Sequence, residues 1–185
     1  MQDLEKMGEA LLRGGRLPAD GIDPFLYALP TPLTCADAAL SALAEDLPAH
    51  PLDCALEASR RIRARVEYRR GVTNEQTAAA EALRLGAGVC QDLAQLLLAV
   101  LRVRGVPARY AAGLIPGEGE THAWVEVFDG SGFVGVDPTQ LALAGDDHLR
   151  VCAGRDSRDC AVNRGVFTGA AGQTLAVRAR MVEIF

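Results

Sequence analysis

Apolar positions recur at helical spacing through the first half of the chain and at a spacing of two through the second. Leu52, Leu56, Ser59, Ile62 and Val66 lie on one helical stripe. They predict a helix that opens at Asp53 and runs to about residue 68. Arg60, Arg61, Arg63, Arg65, Arg69 and Arg70 take its other positions and read as a solvated face more readily than as a basic groove. Shorter helices are predicted over 2–13, 36–46 and 75–85, with Thr34, Asp37, Thr73 or Asn74 as caps and Gly14-Gly15, Pro48 and Gly86 as stops. Pro18, Pro24, Pro30 and Pro32 make 17–34 extended or turning. The run from Cys90 to Arg104 is apolar nearly all round, which predicts a central buried helix ended by Gly105 and Pro107.

Strands are predicted at Tyr110–Ile115, His122–Phe128, Phe133–Val136 and Leu149–Ala153. A last one runs through Leu175, Val177, Ala179 and Met181, with Arg178 and Arg180 facing the other way. Asp129-Gly130-Ser131-Gly132 is a hairpin turn between two of them. Helices first and an antiparallel meander afterwards make an α+β fold, with the buried central helix packed on a C-terminal antiparallel sheet.

Composition narrows the classes. The 185 residues are one domain in length. Hydrophobic residues at 49% exclude a disordered chain. A net charge of −5 has the wrong sign for a phosphate-backbone binder, so no nucleic-acid partner is expected. No apolar run reaches the length of a membrane span, so no membrane partner is expected. Met1-Gln2-Asp3-Leu4-Glu5-Lys6 is polar with no apolar signal core behind it, which predicts a cytoplasmic protein. Cys35, Cys54, Cys90, Cys152 and Cys160 form no CxxC, and with three histidines in the chain no metal site is expected.

Three runs carry chemistry. In Gly88-Val89-Cys90-Gln91-Asp92, a cysteine follows a glycine-rich break and starts the buried helix. Unpaired amides and the positive dipole end favour a thiolate there, and a small buried cysteine is an equally good reading of Cys90 taken alone. Asp92, in the same first turn, opposes a nearby thiolate unless it points away or takes a backbone hydrogen bond as a brace. In the strand Thr121–Val127, His122, Trp124 and Glu126 share one face. The strand Phe133–Val136 ends at Asp137, and Pro138 stops it. His122 and Asp137 are equally far from a turn centred near 129.5, so they should stand opposite or diagonal, within reach. A thiol, an imidazole and a carboxylate then suit acyl transfer: Cys90 as nucleophile, His122 as base, Asp137 as its orienter. The Cys90 N–H is one oxyanion donor, and Gln91 or Trp124 could be a second.

The order of these runs resembles the transglutaminase-like superfamily, in its bacterial cysteine-peptidase-like branch. The matching stretches are Gly88–Ala94, Gly105-Val106-Pro107-Ala108-Arg109-Tyr110, His122–Val127 and Gly135-Val136-Asp137-Pro138-Thr139. His148-Leu149-Arg150-Val151, Gly154-Arg155-Asp156 and Arg164-Gly165-Val166-Phe167 also resemble that branch. The resemblance implies a papain-like core, a Cys90–His122–Asp137 triad, substrate-side or supporting roles for Gln91, Asp92 and Trp124, and no cofactor. It makes 35–185 the catalytic domain and 1–34 an N-terminal extension. It also implies a peptide or protein substrate, with hydrolysis of peptide or isopeptide bonds as the leading reading. Transfer to an amine by a transglutaminase, or a catalytically idle binding module, are the alternatives. Gln95 stands where many relatives carry His. His148, Arg155 and Asp156 could line the cleft or simply make loop contacts. Relatives often carry a β-rich N-terminal domain for which residues 1–30 are too short.

Overall fold

The computed structural model describes residues 24–119, 121–161 and 179–181. A 3₁₀ turn at Pro24–Ala28 leads into helices α1 (Ala38–Leu43) and α2 (Pro51–Arg63). Asp37 caps α1 by accepting from the Leu40 amide at 2.9 Å. Strand β1 (Glu67–Tyr68), helix α3 (Ala79–Leu85) and strand β2 (Ala87–Gly88) precede the central helix α4 (Cys90–Val103). Strands β3 (Ala108–Leu114), β4 (Gly117–Gly119), β5 (His122–Phe128), β6 (Phe133–Asp137), β7 (Ala142–Leu143), β8 (Leu149–Gly154) and β9 (Ala179–Met181) follow. The predicted helix at 2–13 lies outside the described residues, as does most of the last predicted strand.

The main sheet has five antiparallel strands in the order β7-β6-β5-β3-β8. Helix α4 lies across β5 and β3, with α2 beside it. Leu93, Leu96, Leu97, Leu98, Val100 and Leu101 are fully buried. Each such side chain stabilises by roughly 1.5–3 kcal/mol, which explains why an all-round apolar helix sits at the centre. Ala108, Tyr110, Ala112, Ala123, Val125 and Val127 supply the sheet side of this core. The architecture is the α+β one that the periodicity indicates.

The helices at 36–46, 53–68 and 75–85 are each shorter than their patterns. The stripe of α2 outruns the helix because Val66 turns into β1, a two-residue strand parallel to β2. That small sheet has no periodic signature, and the sequence pattern misses it. Similarly, β9 pairs with β4 in a separate two-stranded sheet.

The hairpin register is shifted from the expected one. Phe128 pairs with Phe133, so the turn centre lies one position later than equal spacing of His122 and Asp137 requires. Val125 faces Val136, and continuing the ladder sets Asp137 across from Trp124. His122 and Asp137 are therefore diagonal on one face of the sheet. Glu126, farther along that face, is tied to Arg109 at 2.7 Å and Arg150 at 2.9 Å.

Candidate active site

The first turn of α4 is built around Asp92. Its Oδ2 accepts from the Val89 amide at 2.8 Å and from the Thr73 hydroxyl at 2.6 Å. This is the backbone brace, one half of a capping box. Gly88 makes room for it, since a Cβ there would lie 2.7 Å from the Asp92 side chain. Burial raises the Asp92 pKa above the ordinary carboxylate value, and the two hydrogen bonds oppose that rise. Gly86 ends α3 at φ +64°, a left-handed conformation suited to glycine, and turns the chain into β2. Cys90 follows as the first residue of α4, half-buried and a free thiol.

His122 enters the site from the start of β5. Its Nε2 lies 2.7 Å from Asp137 Oδ2, and the Cys90 thiol is near enough to its ring to raise its pKa. Since Nε2 is taken by the carboxylate, Nδ1 is the nitrogen left for the sulfur. Burial by itself would push the His122 pKa down. Asp137 and Cys90 outweigh it and raise the value to about 9. Burial likewise works against the Asp137 carboxylate, yet donors from both sides hold its pKa well below the usual range. Oδ1 accepts from the Thr139 amide at 2.7 Å and the Gln140 amide at 3.2 Å. Pro138, which stops the strand, lets those two amides turn back onto the carboxylate.

A second imidazole completes the group. His148 Nε2 lies 3.2 Å from Asp137 Oδ2, and its Nδ1 lies 2.6 Å from Asp147 Oδ1. Both nitrogens face carboxylate oxygens, which only accept, so both carry hydrogen and the ring is a cation. Burial opposes the charge, but Asp137 and Asp147 raise the pKa. Trp124 is buried beside this group, edge-on to His148 at 5.2 Å and roughly parallel to His122 at 6.4 Å between centroids. Its indole uses the space left by Gly113, where a Cβ would come within 2.8 Å of the ring.

Of the three residues expected to form a triad, His122 and Asp137 are in hydrogen-bond contact and Cys90 is near enough to His122 to raise its pKa; Asp92 braces the turn that carries Cys90, and Trp124 packs beside the His122 ring. Gln91 lies beside Cys90 in the chain, with its side-chain amide 3.5 Å from the Asn74 carbonyl. Gln95 is fully buried and bonds Ser157 at 3.0 Å. Of the other candidates, His148 joins the site. Arg155 instead reaches the Pro30 carbonyl at 3.2 Å, and Asp156 pairs with Arg158 at 2.9 Å, so both fix loops. Tyr68 of β1 was not legible as a site residue: it lies in a run of arginines with no period, yet it pairs with Gly88, two residues before Cys90, and burial and the Cys90 thiol raise its pKa. His122, Asp137 and His148 also present ligand atoms within 4.8 Å of one another, close enough for a metal ion. Those atoms are already engaged in the hydrogen bonds above. Among the described residues no helix is long and apolar enough to cross a membrane.

Known proteins share this arrangement of elements. A structure of a candidate cysteine protease from Cytophaga hutchinsonii superposes with a TM-score of 0.66 at 29% identity, over 80% of this chain and 53% of that one. The periplasmic domain of TgpA from Pseudomonas aeruginosa matches with a TM-score of 0.52 at 23% identity, over 66% of this chain and 51% of that one, a likeness of fold. An uncharacterized Mycobacterium leprae protein is 33% identical over 72% of this chain and 50% of its own length. The chain spans about half the length of the curated relatives it matches. The family model of the transglutaminase-like superfamily matches residues 41–138, more than half of the chain, from within α1 past Cys90 and His122 to Pro138, just after β6. With that match and this fold, the chain belongs to the transglutaminase-like superfamily.

Proposed function

We propose that this protein is a thiol-dependent acyl-transfer enzyme that hydrolyses peptide or isopeptide bonds, with Cys90 as nucleophile, His122 as acid and base, and Asp137 as the orienter of His122. The reading rests on one observation above all: the half-buried Cys90 thiol lies near enough to His122 to raise its pKa, and His122 Nε2 is held by Asp137 Oδ2 at 2.7 Å. Its substrate is a peptide or protein, and the candidate protease from Cytophaga hutchinsonii is consistent with this.

In this mechanism Cys90 passes its proton to His122 Nδ1, and the thiolate attacks the carbonyl carbon of the substrate. A carbon–sulfur bond forms and the carbonyl π pair moves onto oxygen. The Cys90 amide, in the first turn of α4, stabilises that oxyanion. Collapse breaks the bond to the leaving nitrogen, which takes the proton from His122 and departs as an amine. Water then loses a proton to His122 and attacks the thioester, releasing the carboxylic acid and the thiol. Throughout, Asp137 holds the Nε2–H and neutralises the imidazolium.

A transglutaminase differs only in the last step, where a primary amine replaces water. Incubation with a glutamine-containing peptide and a fluorescent primary amine separates the two. Peptide cleavage or ammonia release without labelling is the expected result. Labelled peptide would make transfer the principal reaction, and no product of either kind, with Cys90 never acylated, would overturn the proposal.

A further inference from the structure

Three ligand atoms converge from the start of β5, the end of β6 and the loop before β8. His122 Nε2 lies 2.7 Å and His148 Nε2 3.2 Å from the same Asp137 oxygen, Oδ2, and the three atoms lie within 4.8 Å of one another. We propose that His122, Asp137 and His148 form a binding site for Zn²⁺, which replaces the hydrogens between the carboxylate and the two imidazoles and silences the site. The binding stands apart from the acyl-transfer reading. The loss of turnover rests on that reading.

The donor set selects the ion. Two imidazoles and a carboxylate suit Zn²⁺, which accepts three such ligands with a water in the fourth position. Ca²⁺ and Mg²⁺ prefer shells of oxygen, which two rings do not supply. The trio is also close to the right size. Ligands about 2.0–2.1 Å from a tetrahedral ion stand about 3.3 Å apart. The edge from Asp137 to His148 meets that spacing as it stands, and the edge to His122 must open by roughly half an ångström.

The surroundings hold each ligand in place. Asp147 Oδ1 takes the other nitrogen of His148, Nδ1, at 2.6 Å. A carboxylate behind the ring in this way fixes the tautomer of a metal-ligating histidine. Asp137 Oδ1 accepts from the Thr139 and Gln140 amides, so the carboxylate is anchored by one oxygen and offers the other. All three ligands are buried, and Trp124 packs beside both imidazoles.

The exchange balances in charge. With both imidazoles as cations, each ring carries hydrogen on Nε2 and on Nδ1. The dication enters, the two Nε2 hydrogens leave to solvent as protons, and the charge of the group is unchanged. His122 is then a neutral ring with the metal on Nε2 and hydrogen on Nδ1. Such a ring has no lone pair left to take the thiol proton, so it can no longer serve as the base.

The test reads binding without turnover. Co²⁺, a coloured stand-in for Zn²⁺, is titrated into the Cys90→Ala protein. We expect one ion per chain, displaced by Zn²⁺, with the visible absorption of a nitrogen and oxygen site and no sulfur-to-cobalt band. His148→Ala should abolish it. Asp147→Asn, at a half-exposed position where folding is not at stake, should weaken it by about 10-fold or more. No stoichiometric binding, a sulfur-to-cobalt band, or binding indifferent to Asp147→Asn would overturn the inference. In the parent, Zn²⁺ should block acetylation of Cys90 by p-nitrophenyl acetate, and a chelator should restore it; full acetylation of the zinc-loaded protein would overturn the silencing. A parent never acetylated, with or without metal, would instead overturn the acyl-transfer reading and leave the metal site standing.

Discussion

His148 donates from Nε2 to Asp137 Oδ2, the same oxygen that His122 Nε2 reaches, at 3.2 Å against 2.7 Å. The carboxylate thus divides its charge between two imidazoles, and a third residue, Asp147, holds the far side of His148. His148 is a positioning residue: it is linked to His122 by hydrogen bonds through Asp137. Its cation also opposes the cation on His122, whose ring centroid is 6.0 Å away. In His148→Gln the side-chain amide still donates to Asp137, but the charge is gone. We expect the basic limb of the kcat/KM profile, set by His122 near about 9, to move to higher pH. A pH profile of the variant checks this, and a limb that stays or moves down would show that His148 only fills space.

The same pKa shifts set how stability depends on pH. His122 rises from 6.5 to about 9 on folding. Its contribution is complete below about pH 6.5 and is lost as pH rises through about 9. His148, raised in the same direction, adds to that loss. Asp137 is lowered, so its contribution is present above the ordinary carboxylate value and is lost only as acid reaches its lower folded value. Unfolding free energies from urea titrations should therefore hold up to about neutrality and fall on the alkaline side by on the order of 1–3 kcal/mol. In His122→Ala that alkaline slope should flatten; an unchanged slope would place its origin elsewhere.

Removing the carboxylate tests the orienter. Asp137→Asn keeps the shape, and its Oδ1 can still accept from the Thr139 and Gln140 amides. Its amide nitrogen then faces two ring nitrogens where an acceptor stood. Turnover should fall by roughly 100-fold or more, with iodoacetamide alkylation of Cys90 slowed at neutral pH. Stopped turnover assays with parallel thermal melts read this, and near-parent activity in a folded variant would contradict it.

Gly88 and Asp92 form one mechanical unit. A methyl at Gly88 would sit 2.7 Å from the Asp92 side chain and dislodge it from the Val89 amide. Asp92→Ala removes the same brace directly, at about 1–2 kcal/mol. In Asp92→Ala the carboxylate is gone but the Cβ of residue 92 stays 2.7 Å from the added methyl, so Gly88→Ala should still cost stability there, though less than in the parent, and the two substitutions should be partly non-additive. Additive effects in a double-mutant cycle of unfolding free energies would separate the two roles.

These sites differ in how far the sequence exposes them. The central helix was legible because eleven consecutive residues from Asp92 to Arg102 are buried, and an all-round apolar run has few other solutions. The His122–Asp137 contact was legible from the hairpin turn, although the ladder is shifted by a position that the turn residues alone do not determine. His148 was hidden: it precedes β8 in a polar loop, and its burial depends on packing against Trp124 and Asp137. Tyr68 was hidden for a different reason, since a two-residue parallel strand depends on contacts with a segment twenty residues later and leaves no period.

The central claim is that Cys90 forms a thioester with the help of His122. Peptide mapping by mass spectrometry after acid quench of the p-nitrophenyl acetate reaction tests it most directly. The account predicts an acetyl group on Cys90 in the parent, almost none in His122→Ala, and no matching acylation of Cys35, the exposed thiol. Acetylation spread over the cysteines by their exposure, and indifferent to His122, would contradict it.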